Sequence, residues 1–311
     1  MSTHETVMPD TAEHDFRLDL FHGQFTRSSA DIYARLSGDF EAASVWNNGW
    51  RLSGSIEGPR AENSHTLPAQ VLMQDMGAGE SLLARARLPD PCSWSPDLPL
   101  LYDVHIQLMV DELPTWERNQ VIGLRQMGVL EDRLHLENQP WSLMGAHQQR
   151  LGSLDLPPAD QVLMLEGIQL PLLEQCSAEG GWLLTLLDGS ASTTVLAGML
   201  RDCARSAANW CVVLRDVAPG CQVPTGVAPN LLLGQWFSAT EEIEPAEWAD
   251  IAFVEMDDPA GFSERTVGSS LPVIAIEQGT ERGDWDAART ACKQLRHQLA
   301  AFRQFAGYIV V

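Results

Sequence analysis

Residues 88–108 read LPDPCSWSPDLPLLYDVHIQL, and residues 121–147 read VIGLRQMGVLEDRLHLENQPWSLMGAH. In the first stretch, Trp94, Pro96 and Pro99 form a stiff corner, because proline fixes its own backbone and restricts the residue before it. Alternating apolar residues follow at Tyr102, Val104, Ile106 and Leu108, the period of a half-buried strand. The second stretch carries a shorter apolar pattern through a tight polar connection and ends in the apolar run WSLMGA. The pattern changes character here: strands with turns lie before it, and buried strands with helices after it.

Toward the N-terminus, FRLDLF, GWRLSGSIEG, AQVLMQDM, SLLARARL, LYDVHIQLMV and VIGLRQMGVLED each carry partial alternation or a short apolar run. They are separated by segments rich in Gly, Pro, Asn and Asp. Such spacing predicts an antiparallel, immunoglobulin-like β-sandwich over 15–138. The polar stretch 1–14 is expected to be a disordered arm.

Toward the C-terminus, WSLMGA, VLMLEGI, WLLTLLDG, WCVVLRD, LLLGQW, IAFVEM, LPVIAIE and GYIVV are apolar runs without strict alternation, as in parallel strands buried on both faces. Helices are expected in LPLLEQCSAEG, TVLAGMLRDCARSAA and DWDAARTACKQLRHQLAAFRQF. Eight such strands point to a (β/α)8 TIM-type barrel over 139–311. The length is short for that fold, and 217–230 and 238–250 are too rich in Pro, Gly or acids for full helices. The expectation is a shortened barrel with missing helices; the alternative is an open, doubly wound sheet.

The chain has 311 residues and a formal net charge of -22, with Lys293 as its single lysine. A chain this acidic repels phosphate backbones and anionic membranes, so neither nucleic acid nor membrane is an expected partner. No apolar run is long enough to span a bilayer, and the N-terminus lacks the pattern of a secretory signal, which suggests a cytoplasmic protein. The six cysteines form no CxxC pair and are expected to be free thiols in a reducing compartment. No metal-ligand spacing, nucleotide-binding glycine motif or GxSxG elbow occurs, so no cofactor or metal is expected.

The two quoted stretches resemble the junction between the sandwich and the catalytic barrel of glycoside hydrolase family 2. Trp94, Ser95, Pro96, Pro99, Leu101 and Tyr102 match the family's Trp-Ser-Pro corner and following strand. Gly123, Leu124 and Arg125 match its Gly-Phe-Arg piece. Leu136, Asn138, Pro140 and Gly145 match the hairpin that leads into the first barrel strand. LPVIAIEQG, residues 271–279, is similar to the family's seventh strand, which ends in the catalytic nucleophile; the resemblance assigns that role to Glu277. It implies a retaining O-glycosidase, in which two carboxyl groups about 5 to 5.5 Å apart share the chemistry, and a carbohydrate ligand.

The match is incomplete. The family's fourth strand ends in Asn-Glu, whereas here NWCVVLRD offers only Asp216 as acid/base, beside an arginine that would lower its pKa. The second-strand arginine is absent, with Glu166 near its place. His147 lies near a family histidine. Asp188, Glu255, Asp257 and Asp258 fall at expected strand ends, so Glu166, His147, Asp188 and Glu255 are candidates for substrate binding. Trp182, Trp210 and Trp236 are candidate sugar platforms, Trp236 foremost, with core packing as the competing role. The alternative to an active glycosidase is a catalytically inactive relative that binds carbohydrate or another protein.

Overall fold

The computed structural model describes residues 16–38, 49–61, 66–151, 155–218, 220–257, 270–279, 283–301 and 305–311. The expected arm 1–14 and Asp258 lie outside the described residues.

Seven antiparallel strands form the first part: β1 (Arg17–Phe25), β2 (Ser29–Ser37), β3 (Arg51–Arg60), β4 (Ala69–Ala78), β5 (Leu82–Pro89), β6 (Leu101–Val110) and β7 (Leu113–Ile122). Their order is β1-β2-β5-β4-β3-β6-β7, a single curled sheet instead of two separate ones. The cause lies in β4. Its first half, through Met73, pairs with β3, while Gln74 onward pairs with β5 across a register irregularity. The halves fold over one core, in which Ile32 and Leu36 of β2 and Leu88 of β5 share a cluster with Ile56 of β3 and Ile106 of β6.

Two strands differ from the sequence reading. SADIYARLS forms β2, with Ala30, Ile32, Ala34 and Leu36 fully buried. VIGLRQMGVLED is two pieces, since β7 ends at Ile122 and the next strand begins at Met127. That strand, β8 (Met127–Leu130), pairs with β9 (Arg133–Leu136), which pairs with β10 (Gln139–Trp141). Glu137 and Asn138 both adopt positive φ (52° and 63°) in the turn between β9 and β10, the left-handed pair that a two-residue hairpin turn needs.

The second part is a closed, all-parallel barrel: β11 (Leu143–His147), β12 (Val162–Glu166), β13 (Trp182–Asp188), β14 (Asn209–Arg215), β15 (Leu232–Phe237), β16 (Ile251–Met256), β17 (Val273–Glu277) and β18 (Gly307–Val310). Pairing of β18 with β11 closes it, which removes the open doubly wound sheet. The barrel is poor in helix. Among the described residues only α1 (Leu170–Glu179), α2 (Thr193–Ala204) and α3 (Trp285–Leu299) are α-helical. Ser192 caps α2 and Asp284 caps α3, each accepting from a backbone N–H of the first turn. On α3 the buried residues Ala288, Cys292, Leu295 and Leu299 follow the helical period. Among its described residues, the Pro-rich 217–230 connection contains a 3-10 turn, Thr225–Val227, and no α-helix. No described helix is long and apolar enough to cross a membrane.

The quoted corner joins the two parts. Trp94 is 1% exposed; its Nε1 donates to the Ser177 carbonyl of α1 at 2.9 Å, and its backbone N–H donates to Leu124 O at 2.7 Å. Its ring meets Trp182 edge-on at 5.0 Å, and Trp141 lies 5.8 Å from Trp182 and 5.4 Å from Trp210. Trp182 and Trp210 therefore pack in the core at the N-terminal ends of the strands, away from a sugar's reach. All six cysteines are free, four of them buried.

Candidate functional site at the barrel mouth

In a parallel sheet, residues paired in register share a face, and successive residues alternate. Val212, Leu214, Leu187 and Leu233 pack with Leu196 and Leu200 of α2, so these mark the outer face. The alternate positions face inward: Asp188 and Arg215 are register partners, as are Glu166 and Leu186, and His147 and Met164. Continuing around the barrel, Trp236 pairs with Phe253 and Glu255 with Ile276. His147, Glu166, Asp188, Arg215, Trp236 and Glu255 thus share the inner row at the C-terminal ends of the strands, the face where sites form on such barrels.

Glu277 falls in the other row. It pairs with Met256 and Val310, in line with Ala275 and Tyr308. That row faces α3: the Tyr308 hydroxyl feels the charge of Arg296, and the Glu277 carboxylate helps raise the Cys292 thiol, which burial chiefly pushes up to about 11. The next residue, Gln278, turns inward, and its Nε2 donates to Glu255 Oε1 at 3.1 Å.

The mouth has two polar groups. On one side, Arg215 lies 3.4 Å from Glu166 and 3.5 Å from Asp216. The second Glu166 oxygen accepts from Gln149 Nε2 at 3.1 Å. Burial lowers the His147 pKa, and Arg215 adds to that while Glu166 opposes it. The neutral ring accepts at Nδ1 from the Gln149 backbone N–H at 3.3 Å, which leaves its proton on Nε2. Asp188 accepts from the Ser190 backbone N–H at 2.8 Å; its carboxyl pKa is lowered by the Ser190 hydrogen bonds first and by Arg215 last.

On the other side, Trp236 is 7% exposed and donates from Nε1 to Glu255 Oε1 at 3.1 Å. Glu255 is therefore held by two donors, Trp236 and Gln278. Between the two groups a cavity of about 190 Å³ opens over the ends of β14 and β15, bounded by Arg215 and Asp216 on one side and Trp236, Glu241 and Glu255 on the other. Asp216 adopts positive φ (57°), and its side chain is 77% exposed.

The sequence reading did not single out Gln149, Arg215 as a bridging cation, or Gln278. Gln278 was legible only as the neighbour of Glu277. Among the described residues no group of three or more His, Cys, Asp or Glu side chains could hold a metal ion.

No protein-family model matches the chain. A curated beta-galactosidase from Oenococcus oeni is 26% identical over 110 residues, 35% of this chain and 11% of that protein. A solved beta-glucuronidase of Bacteroides uniformis superposes with a TM-score of 0.60 at 14% identity, covering 94% of this chain and 45% of that one. A glycosyl hydrolase family 2 member from Bacteroides cellulosilyticus gives 0.62 at 13%, covering 94% and 43%. A beta-D-glucuronidase of Dictyoglomus thermophilum gives 0.61 at 12%, covering 95% and 61%. The chain is thus glycoside hydrolase family 2-like in fold across its sandwich and barrel, and it spans roughly half the length of these structures and far less of the curated relative.

Proposed function

We propose that this protein is a glycoside hydrolase family 2-like carbohydrate-binding protein whose barrel mouth holds a sugar without hydrolysing it. Residues 15–138 serve as the sandwich unit and 139–311 as the barrel unit that carries the site. The observation that carries the reading is the inner row at the end of β17. An amide, Gln278, stands there against Glu255, while Glu277 lies in the row facing α3. A retaining hydrolase needs two carboxyl groups facing one anomeric carbon. Asp216, the candidate acid/base, is ion-paired and largely exposed.

What remains suits binding. Trp236 offers an apolar surface beside the oriented carboxylate of Glu255, Arg215 and Asp216 supply polar groups across the cavity, and Glu166 holds Arg215 from behind at 3.4 Å. Neighbours in fold are described as binding coumarin-3-O-glucuronide or a cyclophellitol-6-carboxylate aziridine, which makes pyranosides the class to test.

The test combines turnover and binding. A panel of aryl β-glycosides should show no hydrolysis above the buffer rate, while calorimetric titration with monosaccharides should show binding that Trp236→Ala and Glu255→Gln weaken. Turnover by the wild type that Glu277→Gln abolishes would overturn the reading in favour of a retaining glycosidase. Absence of both turnover and sugar binding would leave a protein-interaction role.

A further inference from the structure

We propose that the cleft between β7 and helices α1 and α2 is a second binding site, remote from the barrel mouth, for a small amphipathic organic monoanion. The cleft encloses about 400 Å³, against about 190 Å³ at the mouth. It lies where the sandwich meets the outside of the barrel, and its size and interdomain position are those of small-molecule pockets. Leu101 and Leu173 supply apolar walls, and Leu170, 45% exposed, lies at its rim.

The polar groups of the cleft are short of acceptors. Of the basic residues in a chain of net charge -22, Arg60, Arg118 and Arg205 meet here. Arg60 is held by Asp103 at 2.6 and 2.9 Å, and Arg205 by Asp202 at 3.1 Å. No ion pair or hydrogen bond holds Arg118 among the described residues. Beside it, Gln120 Nε2 is buried with no acceptor. A buried donor without a partner is uncommon in folded proteins and calls for an explanation. Glu174 is the remaining charged side chain of the lining.

The chemistry of the ligand follows from these groups. An anionic oxygen can satisfy the Arg118 guanidinium and the Gln120 amide together, in charge-assisted bonds. A cation would be repelled by Arg118, and a neutral apolar ligand would leave both donors unmet. One unpaired cation fits one negative charge, and the leucine walls fit an apolar body. Arg118 and Gln120 alternate with Asn119 and Val121, yet all four line the cleft. The cleft therefore follows the free edge of β7, the last strand of the sheet, whose outward backbone N–H groups add further donors.

The test is a fluorescence titration of the whole chain with 1-anilinonaphthalene-8-sulfonate, competed by octanoate and, separately, by octan-1-ol. Wild type should bind the probe saturably, and octanoate should displace it at a concentration about tenfold lower than octanol, the effect of one charge-assisted bond. Arg118→Ala should weaken octanoate about tenfold and erase its advantage over octanol, and Arg118→Lys should restore part of it. Ala178→Trp, which fills the cleft from α1, should abolish probe binding with the circular dichroism spectrum retained, whereas Trp236→Ala at the mouth should leave it unchanged. Equal competition by octanoate and octanol in the wild type, or unaltered octanoate binding in Arg118→Ala, would overturn the proposal.

Discussion

Acid should loosen the sandwich from the barrel through one histidine. The His22 backbone on β1 pairs with a side chain of the barrel: its N–H donates to Asn230 Oδ1 at 2.8 Å, and its carbonyl accepts from Asn230 Nδ2 at 2.9 Å. The imidazole packs edge-on against Phe25 at 6.0 Å. Burial, and secondarily the Arg125 guanidinium, lower its pKa from 6.5 to about 4. The folded ring thus stays neutral where the unfolded ring takes up a proton. Its contribution is fully present above pH 6.5, is lost as pH falls through the window from 6.5 to about 4, and changes no further below it. At pH 4.5 this difference amounts to about 2.6 kcal/mol by linkage, and partial exposure of the ring reduces the expectation to about 2 kcal/mol. The assay is urea denaturation at pH 7.5 and 4.5 for wild type and His22→Gln. The many carboxylates titrate equally in both, so the double difference isolates the histidine. Wild type should lose about 2 kcal/mol more than the variant between the two pH values. Equal losses would refute the reasoning.

Three further outcomes concern the same junction. Arg125 is buried, and its guanidinium donates to the carbonyls of Ala207 and Asn230; desolvation lowers its pKa to about 10, so it stays charged at neutral pH. Arg125→Met should cost about 2 to 3 kcal/mol in a urea titration, from two lost charged hydrogen bonds partly offset by relief of the buried charge. Asp19, 6% exposed, joins Arg35 at 3.0 Å to Arg201 of α2 at 2.9 Å; Asp19→Ala should cost about 2 kcal/mol, because it takes the shared buried carboxylate from two partly exposed cations, and Asp19→Asn less. Gly180 closes α1 at φ 95°, and a Cβ there would sit 2.1 Å from Pro96 O. Gly180→Ala should lower the thermal midpoint by the equivalent of about 2 kcal/mol or more, since either the backbone of the Trp-Pro corner or the end of α1 must shift.

Much of the barrel was legible because its strands are buried on both faces, and all eight apolar runs became strands. The sandwich was harder to read. β2 alternates cleanly, but two of its four inward residues are alanines, Ala30 and Ala34, which carry little hydrophobic signal. β7 is an edge strand exposed along most of its length, so LPTWERNQVI has no apolar face to betray it. Nor does local sequence encode that β4 serves both halves of the curled sheet, because that depends on which strands lie beside it. At the mouth, strand ends could be located from the sequence. The contact of Arg215 with Glu166, two strands away, could not.

The position of Glu277 shows what a strand-end motif leaves open. LPVIAIEQG fixes where the apolar run stops, and the acid does stand at the end of β17. Side chains in a strand alternate with a period of two, so one residue of offset exchanges the inner row for the outer. The face is set by neighbours: Ala275 beside Tyr308, Tyr308 under the Arg296 side of α3, and Ile276 beside Glu255. Those pairings give the inner position to Gln278, whose amide donates to Glu255 where a carboxylate would repel it. Glu255 is thereby fixed by two donors, Trp236 and Gln278. An arrangement that satisfies its one inward carboxylate on β16 so fully orients that group for a ligand's hydroxyls better than it prepares it to attack a carbon.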